Sequence, residues 1–163
     1  MDLSDLSQEQ KYAFSLYRKR KNVFISGPGG TGKTRLIEYI VKDCIVQRRY
    51  AQVCAMTGCA TLLLPKLCNA RTVHSWSGIR LCKGPNEKIV ETALKSKRIK
   101  SNWKKTEILI VDEVSMMSLK VLKVLNMIAQ RSRYNSTVFG GIQIVFLGDF
   151  YQLPPVNNNE DSD

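Results

Sequence analysis

The chain has 163 residues, 44% of them hydrophobic and 24% charged, which suits one domain with a single filled core and excludes wholesale disorder. With 25 Lys and Arg against 14 Asp and Glu, the formal charge is +11 and the pI near 9.6. That excess favours polyanionic partners such as nucleic acid or nucleotide phosphates, and it fits a merely soluble basic protein equally well.

The polar start MDLSDLSQEQ is not a secretory signal, and no apolar run reaches the ~18 residues of a membrane span. No membrane partner is therefore expected. Ser7-Gln8-Glu9-Gln10 has the S-x-x-Q spacing of a capping box, so a short helix is expected to begin there, with Phe14 and Tyr17 at helical intervals. Asn22 to Ser26, NVFIS, reads as a buried strand. GPGGTGKT and the amphipathic stretch TRLIEYIVKDCIVQ follow, the latter a helix. AQVCAMT, EILIVD and IQIVFLGD read as three further strands, with helices or loops between them. Alternation of this kind implies right-handed crossovers and an α/β fold, a mainly parallel sheet with helices on both faces.

Five cysteines, at 44, 54, 59, 68 and 82, form no C-x-x-C pair, and His74 is the single histidine, which leaves little scope for a Cys/His zinc site. Buried thiols in a reducing compartment are the expectation. An intracellular setting follows, nuclear or mitochondrial in a eukaryote and host cytoplasm or nucleus for a virus.

The strongest motif is Gly27-Pro28-Gly29-Gly30-Thr31-Gly32-Lys33-Thr34, a complete G-x-x-x-x-G-K-[ST] placed after a strand and before a helix. Glycines let backbone N–H groups turn inward around a phosphate at the positive end of a helix. Lys33 is expected to reach the β and γ phosphates of ATP, and the Thr34 hydroxyl to ligate Mg²⁺. In ILIVDEVSMM, Ile108 to Met117, apolar residues carry Asp112 and Glu113 to the C-terminal end of a strand, where ligands bind in open α/β sheets. Asp112 is placed to hold the Mg²⁺ shell and Glu113 to polarise the attacking water. No N-K-x-D occurs, which counts against a GTPase with the usual guanine-reading motif.

Taken in order, LSQEQ, NVFISGPGGTGKT, MTGCATLLL with TVHSWSGI, ILIVDEVSMM and FGGIQIVFLGDFYQLPPV resemble the Pif-type (petite integration frequency) DNA helicases of superfamily 1B. The resemblance implies a RecA-like P-loop fold over residues 1–156 and a 5′-to-3′ helicase driven by ATP hydrolysis, with roles in DNA repair, recombination and telomere maintenance. It implies that Gln10 contacts adenine and that Gln152 senses the γ phosphate. It also implies that Thr57, Gly58 and the segment from Thr72 to Gly78, with His74, lie along single-stranded DNA. Trp76 is a second aromatic able to stack on a base, and the alternative that His74 and Trp76 merely pack beneath the loop stays open.

Ser118 is expected to cap a helix that buries Val121, Leu122, Leu125, Ile128 and Ala129, and Arg131 and Arg133 match the family's basic helix end. Val138 stands where the family pattern often has Pro. The tract Lys95 to Lys105, with Trp103 inside it, could line a nucleic-acid groove, but a solvated helix face is the favoured reading. Asn157 to Asp163, NNNEDSD, reads as a disordered tail, and Pro154-Pro155 as a stiff exit from the sheet. The resemblance further implies a second RecA-like domain, expected to be missing from this chain, whose arginines complete the catalytic site. A monomer that binds Mg-ATP and hydrolyses it slowly alone is expected. Another P-loop DNA motor, or a nucleotide- or DNA-binding regulatory module without helicase activity, are the alternatives.

Overall fold

The computed structural model describes residues 1–27 and 32–149. The expectations on Gly29, Gly30, Thr31 and Gln152, and those on Pro154, Pro155 and the tail 157–163, lie outside the described residues.

Helix α1 spans Gln8–Arg18 and starts in a complete capping box: the Ser7 hydroxyl accepts from Gln10 N, and Gln10 Oε1 accepts from Ser7 N at 2.8 Å. Strand β1, Val23–Ser26, leads through the P-loop segment to α2, Lys33–Val46. Then follow β2 (Ala51–Ala55), α3 (Gly58–Leu63), the two-residue β3 (Arg71–Thr72) and α4 (Val73–Ser77). Helices α5 (Asn86–Leu94) and α6 (Lys97–Lys105) precede β4, Ile108–Asp112. Helix α7, Leu119–Arg133, is capped by the Ser118 hydroxyl as its sequence implies, and β5 is Gln143–Gly148.

Among the described residues the strands form one parallel sheet in the order β1-β5-β4-β2-β3. Strand β3, too short for any periodic signal, is the one that the sequence did not announce.

Alternation along the strands builds two cores. Leu109 and Val111 of β4 point into a cluster with Trp76, Trp103, Leu125 and Ile128, beneath α4 to α7. Ile108 and Ile110 point the other way, into a cluster with Phe14, Tyr17, Leu36 and Ile40 from α1 and α2. A strand buried on both faces needs an unbroken apolar run, which ILIV supplies.

Two polar devices lock helices that carry site residues. Asp43 of α2, 1% exposed, accepts from the Tyr17 hydroxyl at 2.8 Å and from the Arg18 guanidinium at 2.5 Å, which fastens α1 to α2. Arg133 at the end of α7 donates to the carbonyls of Gly140, Trp103, Lys104 and Thr106. It thereby satisfies the terminal carbonyls of α6, a structural duty.

The basic tract divides accordingly. Trp103 is fully buried, its ring centroid 4.6 Å from that of Trp76, and its indole N–H donates to Ser77 O. Trp76 is 1% exposed, which decides between its two readings: it packs in the core and is not a surface for a stacked base. Of the cysteines, Cys44, Cys54 and Cys68 are buried while Cys59 is exposed and Cys82 half-buried, so the expectation of uniformly buried thiols is only partly met. Among the described residues no helix is long and apolar enough to cross a membrane.

Candidate nucleotide and strand site

Parallel strands end together, so the loops after β1, β4 and β2 converge on one edge of the sheet. Lys33 opens α2 there, and its ammonium donates to the carbonyl of Gly27. Gly27 N in turn donates to Gly148 O at 3.2 Å, tying the start of the P-loop to the end of β5. Thr34, beside Lys33, is exposed.

Gly32 is the N-cap of α2 at φ 78°, ψ 21°, a left-handed conformation that favours glycine. Its carbonyl accepts from Gln10 Nε2 at 3.0 Å, so the amide that closes the capping box also touches the P-loop. Between α1 and the P-loop flank lies a cavity of about 270 Å³, lined by Ser7, Gln10, Ala13, Gly27, Lys33 and Leu36 among others.

Asp112 ends β4 and accepts from Glu113 N through Oδ1 at 2.9 Å. Burial pushes its carboxyl above the ordinary carboxylate range, against the opposing pull of that N–H and of the Lys33 charge. Strand β5 lies between β1, which leads to Lys33, and β4, which ends at Asp112. Burial also raises Glu113, with the Thr57 hydroxyl opposing and the Asp112 charge adding.

Glu113 sits at φ 58°, ψ 35°, left-handed and rare for a residue with a side chain. Its carboxylate accepts from Thr57 Oγ1 at 3.2 Å and 3.5 Å. Thr57 follows β2, whose Ala55 pairs in register with Asp112, so the two loops emerge side by side. The same hydroxyl accepts from Ala60 N and caps α3. Thus Thr57, read from sequence as a strand contact, is bound to the catalytic candidate. Gly58 beside it is exposed, and a Cβ there would meet open space, with no atom from beyond its chain neighbours and its own helix backbone within 4 Å.

His74 lies on α4, and burial lowers its pKa from the ordinary 6.5. It lines a cleft of about 450 Å³ with Thr72, Ser75, Arg80, Ser96 and Arg98. Helix α6 holds α4 in place through Asn102 Nδ2, which donates to Trp76 O at 3.2 Å. Sequence reasoning missed three features: the Thr57–Glu113 bond, the Gln10–Gly32 bond, and Gly148, whose added Cβ would meet Ser115 N at 3.0 Å. None has a local signal, since each joins distant segments.

The sequence profile described as PIF1-like helicase matches residues 5–162. This chain belongs to the PIF1-like helicase family. It is 38% identical over 156 residues to the ATP-dependent DNA helicase PIF1 of Saccharomyces cerevisiae (strain YJM789), covering 94% of this chain and 18% of that protein. The crystal structure of the Candida albicans Pif1 helicase superposes with a TM-score of 0.86 at 37% identity, over 98% of this chain and 35% of that one. A Pif1 helicase from Bacteroides, in complex with ADP-AlF3 and ssDNA, superposes at 0.71 and 29% identity, over 96% of this chain and 35% of that one. The chain therefore spans between 15% and 36% of the length of the PIF1-like proteins it matches.

Proposed function

We propose that this PIF1-like chain is the nucleotide-binding RecA-like domain of an ATP-dependent DNA helicase that moves 5′ to 3′ on single-stranded DNA. The observation that carries the reading is that Lys33, opening the helix after β1, and the Asp112–Glu113 pair, at the C-terminal end of β4, stand at the same edge of the parallel sheet. Support comes also from the Bacteroides relative, solved with a nucleotide complex and a single strand.

In this reading the phosphates of ATP lie against the P-loop backbone of Gly27, Gly29, Gly30, Thr31 and Gly32. Lys33 leaves the Gly27 carbonyl to meet the β and γ phosphates, and the base lies toward Gln10 in the cavity beside α1. The Thr34 hydroxyl and the Asp112 carboxylate are hard oxygen donors of the kind Mg²⁺ takes alongside phosphates, so the residues present fit that ion. Bound there, the ion would neutralise charge developing on the phosphates. Glu113 orients and deprotonates the attacking water, and Gln152 reports the γ phosphate. Thr57, Gly58 and His74 line the path of the strand.

A second RecA-like domain supplies the arginines that complete hydrolysis, worth about 10³ to 10⁵ in rate in related phosphoryl-transfer systems. The working unit is a monomer inside the cell, engaged in DNA maintenance. The test is ATP hydrolysis by the protein that joins this chain to its second domain, with and without oligothymidylate. Single strand should raise turnover at least tenfold, and this chain alone should bind Mg-ATP with little turnover. Turnover indifferent to single strand would contradict the reading.

A further inference from the structure

The Thr57 hydroxyl carries one proton to donate. In this structure it goes to the Glu113 carboxylate, while the oxygen accepts from Ala60 N to cap α3. A strand phosphate offers only acceptor oxygens, so a phosphate and the carboxylate compete for that one donor. They also repel each other.

We propose that Thr57 is a positioning residue shared by the two sites: its hydroxyl holds the Glu113 carboxylate on the β2 side until a strand phosphate takes the hydrogen bond and frees Glu113 for the attacking water. This inference rests on the functional reading above and adds to it a physical route from strand to nucleotide.

Three features support the hold. Glu113 is left-handed at φ 58°, a costly backbone conformation that needs surrounding contacts to persist. The Thr57 hydroxyl touches its carboxylate, whereas the Lys33 charge acts on Asp112. Strand β2 lies on the opposite flank of β4 from β1 and the P-loop, so the bond draws the carboxylate away from the phosphate site. On the outer side, Gly58 leaves open space for an approaching backbone.

Linkage makes the coupling reciprocal, so it can be read from strand binding alone, without turnover. Affinity for a fluorescent oligothymidylate is measured on this chain as parent, Glu113→Ala, Thr57→Gly and the double variant. Glu113→Ala frees the donor and should tighten binding about fivefold, the size expected of one net hydrogen bond. In the Thr57→Gly background that gain should shrink to the part that charge repulsion alone supplies; glycine is a tolerated N-cap, so folding is little affected. Thr57→Ser keeps both hydroxyl and cap, and the gain should remain.

An equal gain with and without the hydroxyl would mean simple charge repulsion and would overturn the proposal, as would no gain at all. Loss of the gain in Thr57→Ser would overturn it also. A parent chain that binds no single strand would instead refute the functional reading beneath it.

Discussion

Gly32→Ala tests the contact between α1 and the P-loop. An alanine at φ 78° pays about 1–2 kcal/mol for the left-handed conformation. Its Cβ would also stand 2.3 Å from Gln10 Nε2. That atom is the far end of a flexible side chain, so it can swing aside, but the bond to Gly32 O is then lost, about 1 kcal/mol. The sum is about 2–3 kcal/mol, read from urea unfolding midpoints at constant slope. In a Gln10→Ala background the collision is absent and only the backbone cost of about 1–2 kcal/mol remains. The double-mutant cycle should therefore give a coupling of about 1 kcal/mol. An equal cost in both backgrounds would refute the contact, and no cost in either would refute the left-handed backbone.

Two further outcomes follow from burial. Burial lowers the His74 pKa below 6.5, so the fold prefers the neutral ring. As pH falls below about 6.5 the unfolded chain takes up a proton that the folded chain resists, and stability drops until the folded value is passed. Being the single imidazole, His74 should give one NMR titration with its midpoint below 6.5, and His74→Gln should flatten the stability profile in that window; a midpoint at or above 6.5 would contradict the burial argument. Trp103→Ala should cost about 3–5 kcal/mol in a urea unfolding curve, as expected of a fully buried tryptophan. Lys104→Ala, which gives up one contact over the Tyr134 ring, should cost no more than about 1 kcal/mol. Similar costs for the two would contradict the division of the basic tract.

Much of this was readable in the residues. The S-x-x-Q box, the P-loop between strand and helix and the apolar run ahead of Asp112 are local patterns, each with a local cause. Partnerships were not readable. Gln10 and Gly32 meet because Asp43 ties α1 to α2, and Thr57 and Glu113 meet because β2 and β4 are neighbours in register. Trp76 and Trp103 sit in polar or basic surroundings along the chain, yet only the packing of α4 on α6 shows both as core. Strand order is of the same kind: alternation predicts parallel strands, but nothing local says that β5 lies between β1 and β4.

The central claim is that Lys33 and the Asp112 edge form a site for Mg-ATP. Calorimetric titration of this chain with Mg-ATP, against Lys33→Ala at the same ionic strength, tests it most directly. The account predicts a saturable isotherm for the parent and affinity at least tenfold weaker for the variant. Equal binding by both, or none by the parent, would contradict it.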